Sequence, residues 1–320
     1  MGLGTVVSVA PIEVVLPTYN GVLYLEAQIA SIYNQSLRPE RVLLRDDGSS
    51  DGTPVLIERL QRCYGSWLQV LPADGNLGCI ANVNRLLEAT KAPYVALADQ
   101  DDLWLPHKLE QELGLMQQLE SHHGTSMPLL VHSDLELVDQ AGAPLGFNYL
   151  KCQRLDPLRT ALVDLSLTNV VTGCTVLVNR AMCELGLPIP NEALMHDWWL
   201  ALVASAFGRI EFIEKPTVRY RQHDSNVLGA KGLGLAYWQE RLAMFFSNPV
   251  EGGRLRQVLQ QAELFQHRYG ESTSELLRLF KLRRRERCLA FMQIPSAQRP
   301  RKHGPLRTLG FYFLLIWLPR

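Results

Sequence analysis

The 320-residue chain has no Cys-x-x-Cys pair and no histidines at zinc-like spacing; its six cysteines, Cys63, Cys79, Cys152, Cys174, Cys183 and Cys288, are scattered. That excludes a zinc module and reads as reduced core or surface thiols. A net excess of either charge is also missing. Lys plus Arg and Asp plus Glu each total 32, so no overall bias draws the chain to nucleic acid. The opening Met1-Gly2-Leu3-Gly4-Thr5 lacks a basic region followed by a long apolar run, and a cytoplasmic location is therefore expected. There is no internal repeat and no low-complexity segment.

What is present is a large core and a rhythm. A hydrophobic content of 47% in this length suits one large α/β domain plus an appendage. Strand signals at 12–16, 41–45, 67–71 and 94–98 alternate with helical patterns at about 22–34, 53–63 and 78–90, the βαβ order of a parallel sheet with helices on both faces. Further on the pattern is mixed. Segments 129–134 and 175–178 read as strands, and 198–207 reads as a helix ended by Gly208. Beyond Gly229 the sequence is helical and charged, so a catalytic domain over 1–229 and a helical extension over 230–320 are expected.

Three strand ends carry the chemistry. Ile12–Leu16 breaks at Pro17 into Thr18-Tyr19-Asn20-Gly21, Arg41–Arg45 runs into Asp46-Asp47-Gly48-Ser49-Ser50-Asp51-Gly52, and Tyr94–Ala98 runs into Asp99-Gln100-Asp101-Asp102-Leu103-Trp104. Open parallel sheets bind ligands outside the carboxyl ends of their strands. Three carboxylates within four positions repel one another unless a hard cation such as Mg²⁺ or Mn²⁺ sits among them. The competing reading is a solvated loop that caps the next helix, with Pro106 in its first turn.

These segments, together with Met195-His196-Asp197-Trp198-Trp199 and Tyr220-Arg221-Gln222-His223, resemble the glycosyltransferase family 2 enzymes, over about Ile12 to Gly229. The combination is similar to their rhamnosyltransferase-like branch, which builds bacterial surface polysaccharides. The resemblance implies a GT-A fold, a Rossmann-like mixed sheet flanked by helices. It implies a nucleoside diphosphate sugar of dTDP or UDP type as donor and a divalent metal, Mg²⁺ or Mn²⁺, as cofactor.

It also implies roles for residues. Asp101 binds the metal, Asp99 meets the ribose and Asp102 supports the site. Pro17 and Tyr19 flank the base, Asp47 accepts from its N3 proton, and Asn76 of Asn76-Leu77-Gly78 lies near the nucleotide, or else caps the helix that follows. Asp197 is the catalytic base, or else a helix-start carboxylate stabilised by the macrodipole. Gly173 and Cys174 form a small-residue turn beside donor and acceptor. His196 and Trp198 lie near the acceptor or in the core. Arg221 meets the diphosphate, and His223 joins the metal. Attack opposite the leaving diphosphate inverts the anomeric configuration, with a saccharide hydroxyl, polyprenyl-linked, as acceptor.

Between Arg278 and Arg307 ten basic residues face one acid, Glu286, and the apolar run Leu309–Leu318 follows. That run is too short to cross a bilayer, which takes about 20 apolar residues, and it either lies on an anionic lipid surface or folds back onto protein. The expected place is peripheral, on the inner face of the plasma membrane. Two other classes compete, an inactive nucleotide-sugar binding or scaffold protein and a nucleotidyltransferase, and within the transferase class polyprenyl phosphate itself is an alternative acceptor. A nucleotidyltransferase is disfavoured, because Leu16-Pro17-Thr18-Tyr19-Asn20-Gly21 supplies no glycine-rich basic loop.

Overall fold

The computed structural model describes residues 8–73, 75–222, 249–270, 278–279, 282, 284–294, 299 and 301–317. Two compact units form: one from 1–149, 171–191 and 195–229, the other from 150–170, 192–194 and 230–320. Where the sequence suggested one break near Gly229, the second unit thus also takes in two earlier segments. Their ties to the later chain are polar, with Asp156 N donating to His303 Nδ1 at 3.0 Å and Arg307 Nη1 to Gln153 O at 2.9 Å. No hydrophobic period announces such ties.

The first unit holds one mixed sheet. Its strands are β1 Ser8–Thr18, β2 Leu37–Asp46, β3 Leu68–Val70, β4 Tyr94–Leu97, β5 Leu103–Trp104, β6 Leu129–Val138, β7 Pro144–Asn148, β8 Leu177–Asn179 and β9 Arg209–Arg221, in the order β3-β2-β1-β4-β8-β6-β9-β5 with β7 on β6. β3, β2, β1 and β4 are parallel, β8 is antiparallel to both β4 and β6, and β9 is parallel to β6. Its helices are α1 Leu25–Tyr33, α2 Thr53–Tyr64, α3 Cys79–Ala89, α4 Lys108–His123, α7 Arg180–Gly186 and α8 His196–Phe207, whereas α5 Tyr149–Gln153, but for its first residue, and α6 Leu162–Leu165 fall in the second unit. Central β1 is covered on both faces, so Ile12, Val14, Val15 and Leu16 are all buried, as a continuous apolar run requires.

Because the chain leaves β1 for β2 and β3 on one side and crosses to β4 on the other, the strand order reverses beside β1. That reversal opens a crevice at the carboxyl ends of β1 and β4. β1 continues through Pro17 to Thr18, past the break expected at Pro17. β4 pairs only as far as Val15, so no β4 partner needs the N–H that proline lacks. The long strand β9 was not expected. Its charged alternation hides it, and Pro216 sits where the β6–β9 register shifts between Ser133 and Leu135.

α8 is apolar nearly all round and buried from His196 to Ala204, as a core helix should be. Gly208 ends it as expected, for a steric reason: a Cβ there would lie 1.7 Å from Pro128 O.

In the second unit the principal helices are α9 Pro249–Tyr269, α10 Arg284–Gln293 and α11 Pro305–Trp317. Arg299 caps α10, donating to Ile294 O at 2.9 Å and Met292 O at 3.1 Å, and lies 5.0 Å from the Phe291 ring. Phe291 in turn packs 4.7 Å from Tyr312. No helix among the described residues is long and apolar enough to cross a membrane.

Candidate active site

The loops that follow β1, β2 and β4 are laced together at the crevice. Asn20, at φ 50°, donates its N–H to Ser49 Oγ at 2.8 Å and accepts from Ser50 N at 2.9 Å. A left-handed backbone suits asparagine better than most side chains. Gly21 N donates to Thr53 Oγ1 at 2.8 Å. From the third loop, Gln100 Oε1 accepts from Tyr19 N and Gln100 Nε2 donates to Tyr19 O, both at 2.9 Å. The Tyr19 side of this crevice remains open, with that residue 49% exposed.

Asp47 works inward. Its Oδ1 accepts from Arg45 Nη1 at 2.9 Å and Leu77 N at 2.8 Å, and its Oδ2 from Gly78 N at 2.8 Å. With these three donors Asp47 fastens the entry to α3, a helix that has no side-chain cap bond, and Asn76 is exposed. Arg45, itself buried, also reaches Asn82 Oδ1 at 3.1 Å and Gly75 O at 3.4 Å. Asp46, half-buried, accepts from Ser49 N at 3.0 Å in a local turn.

The loop after β4 is arranged in the opposite way. Asp99, Asp102 and Cys174 offer ligand atoms all within 4.8 Å of one another. Asp102 is fully buried; its Oδ1 accepts from Arg221 N at 3.3 Å, its Oδ2 meets no N–H or O–H donor, and the Cys174 thiol is its remaining hydrogen-bonding neighbour. Burial, then the charges of Asp101 and Asp197, push the Asp99 carboxyl up to about 7. Burial and the charges of Asp99 and Asp101 raise Asp102 as well, and burial raises the Cys174 thiol. Asp101 therefore stands close enough to act on both neighbours, although the 4.8 Å group is completed by Cys174. A buried carboxylate oxygen that meets no N–H or O–H donor, beside a second acid and a thiol, is part of a ligand set suited to a divalent cation.

Asp197 sits in the first turn of α8. Its Oδ2 accepts from Gly173 N at 2.9 Å and its Oδ1 from Trp198 N at 2.6 Å. Burial raises its carboxyl, against the lowering pull of His196 and these backbone bonds. Gly173 is required by packing, since a Cβ there would lie 2.8 Å from His196 Nε2. Burial lowers His196, which holds its Nδ1 4.0 Å from Cys79 Sγ. Trp198 and Trp199 are both buried, and Trp199 Nε1 donates to Gly186 O at 3.1 Å.

Arg221 has internal partners. Its Nε donates to Asp101 O at 3.0 Å and its Nη1 to Gln140 O at 2.6 Å, and the guanidinium lies 4.8 Å from the Tyr24 ring. It braces the carboxylate loop from β9. His223 lies outside the described residues.

Three residues near the site were not singled out from sequence. Tyr220 carries a phenol that burial and the charges of Cys174, Asp99 and Asp102 push upward. Lys108 and Glu112 form a fully buried ion pair on α4, with the ammonium 4.7 Å from the Trp104 ring. Their i,i+4 spacing reads as an ordinary solvated helix pair, so the sequence offered no signal.

Residues 13–123 match the family described as Glycosyl transferase family 2. The dTDP-rhamnosyl transferase RfbG of Shigella flexneri is 27% identical over 67% of this chain and 74% of its own length. TuaG of Bacillus subtilis (strain 168), named for teichuronic acid biosynthesis, is 27% identical over 61% of this chain and 73% of its own. The crystal structure of S. aureus TarS 1-349 in complex with UDP-GlcNAc shares the fold, at TM-score 0.51 and 17% identity, over 88% of this chain and 79% of that one. The chain is a glycosyltransferase of GT-A fold that is similar to glycosyltransferase family 2 over residues 13–123.

Proposed function

We propose that this enzyme moves a sugar, rhamnose first among the candidates, from a dTDP- or UDP-linked donor to a hydroxyl of a polyprenyl-linked saccharide, with inversion, in surface polysaccharide synthesis. The names of RfbG and TuaG support the donor and the pathway class. The observation that carries the reading is the contrast between carboxyls within one unit. Asp99 and Asp102 are crowded against each other, and Asp102 Oδ2 meets no N–H or O–H donor, while Asp197 is held in place by backbone N–H groups.

Tyr19 and Pro17 flank the base, with Asp47 and Asn76 shaping the loops around it, and Asp99 faces the ribose. Asp99 and Asp102, with Asp101 and His223, would hold Mg²⁺ or Mn²⁺; when bound, the cation neutralises charge on the leaving diphosphate. Asp197 takes the acceptor's proton as the new C1–O bond forms and the bond to the diphosphate breaks. Its raised carboxyl makes it a better base near neutral pH. Gly173 and Cys174 border the reacting sugar, and Arg221 holds the Asp101 backbone for it.

The decisive test is proton NMR of the product from a β-linked dTDP-rhamnose: an α-linked rhamnoside supports in-line displacement, and a β product overturns it. Peripheral membrane binding is part of the same reading. It is supported by exposed Leu289, Met292 and Leu309 on α10 and α11, beside exposed Arg285 and Arg301. Sedimentation with phosphatidylglycerol vesicles but not with phosphatidylcholine vesicles is the expected result; equal partitioning to both removes the electrostatic component.

A further inference from the structure

We infer that Gln100 is a positioning residue that ties the base-side loop to the carboxylate loop, so that Tyr19 is set for the nucleotide by the segment that carries Asp99 and Asp101. It rests on the nucleotide-sugar reading and adds to it a residue to which that reading gives no task. Gln100 separates two of the acids and looks like a spacer. Its amide instead makes a two-sided clamp, accepting from Tyr19 N and donating to Tyr19 O, both at 2.9 Å and across 81 residues of sequence. One side-chain amide thereby does for Tyr19 what a neighbouring strand does inside a sheet, at the point where β1 and β4 have ceased to pair.

Gly21 supplies independent support. A Cβ built there would lie 2.3 Å from Gln100 Oε1 and 2.8 Å from its Cδ, with no backbone atom among its nearest neighbours. The glycine therefore makes room for this amide in particular. An alanine at 21 would displace the free end of Gln100, the softest atom in reach, and break the clamp without moving the main chain. Tyr19 has few other restraints on its outer side, being 49% exposed. Losing the clamp releases the segment that presents its ring, while the Asn20–Ser49 and Gly21–Thr53 bonds still hold the loop's far end.

The test measures binding of UMP and dTMP by calorimetry in EDTA, so that no metal bridges ligand and protein. Wild type, Gln100→Met, Gln100→Ala, Gly21→Ala and the Gly21→Ala/Gln100→Ala double variant are compared, with melting temperature as the check on folding. Gln100→Met keeps the length and loses both bonds, and the better-bound nucleotide is expected to weaken about tenfold. Gly21→Ala is expected to weaken it similarly in the wild type and by less than about twofold in the Gln100→Ala background, a non-additivity that general destabilisation would not produce. Equal affinity for wild type and Gln100→Met, or the same Gly21→Ala loss in both backgrounds, overturns the clamp and leaves the transferase reading standing. If wild type binds neither nucleotide, with or without Mn²⁺, both readings fall together.

Discussion

Asp47 and Asp102 both follow a parallel strand, and both are buried. Asp47 takes three hydrogen bonds, one of them from buried Arg45, whereas Asp102 has only a 3.3 Å bond from Arg221 N and a thiol beside it, and feels two further acids. The first loop spends its charge on its own architecture; the second withholds it. A buried carboxylate costs several kcal/mol unless it is satisfied, so a proton or a cation at the second loop would stabilise it. The comparison teaches that an acidic run at a strand end becomes a ligand site through the donors it is denied.

The largest effect expected from breaking this comparison lies at the third kind of carboxyl. Asp197→Asn should lower kcat on the order of 10² to 10⁴-fold, with donor affinity nearly unchanged in calorimetry. Asp47→Ala comes next. It removes the carboxylate that faces buried Arg45 and should cost about 3–5 kcal/mol in chemical denaturation, where the same measurement on Asp102→Asn without metal should show no loss.

The pH dependence sharpens the difference further. Asp99, pushed to about 7 from an ordinary 3.8, holds its proton more tightly folded than unfolded. Its contribution to stability is present below about 4 and is lost as pH rises toward 7. Buried His132, lowered from 6.5 to about 3, works in the opposite sense, costing stability below 6.5. The two largely offset in a melting curve, so metal affinity is the better reading. Mn²⁺ affinity, followed by electron paramagnetic resonance, should rise as pH climbs toward 7, because the carboxyls that would hold the ion must give up their protons. The smallest effect is expected at Ser49→Ala, which removes the bond from Asn20 N and the hydroxyl's bond to Asp46. That should cost about 1 kcal/mol of stability and leave Mn²⁺ affinity alone.

Much of this arrangement was legible before any coordinates. β1, β2 and β4 are apolar runs that stop at polar loops, and buried central strands cannot be written otherwise. α8 announced itself by its unbroken apolar face and Gly208. The task of Asp47 was not legible, because its partners Leu77 N and Gly78 N are backbone groups some thirty residues away. Gln100 was invisible for the same reason, its partners being the N–H and C=O of Tyr19. β9 was hidden because an alternating strand with lysine, glutamate and proline looks like surface loop until β6 and β5 are seen on either side of it.

The buried Lys108–Glu112 pair leaves one more consequence. The Lys108 ammonium lies 4.7 Å from the Trp104 ring, and the indole N–H has no acceptor among the described residues. Trp104 follows Asp102 by two positions. Its excited state, polarised along the ring, sits in a fixed local electric field that the arrival of a doubly charged ion two residues away must alter. The chain therefore carries its own optical gauge of that arrival: a shift in emission colour on adding Mg²⁺, absent from a Trp104→Phe variant, that needs no attached dye.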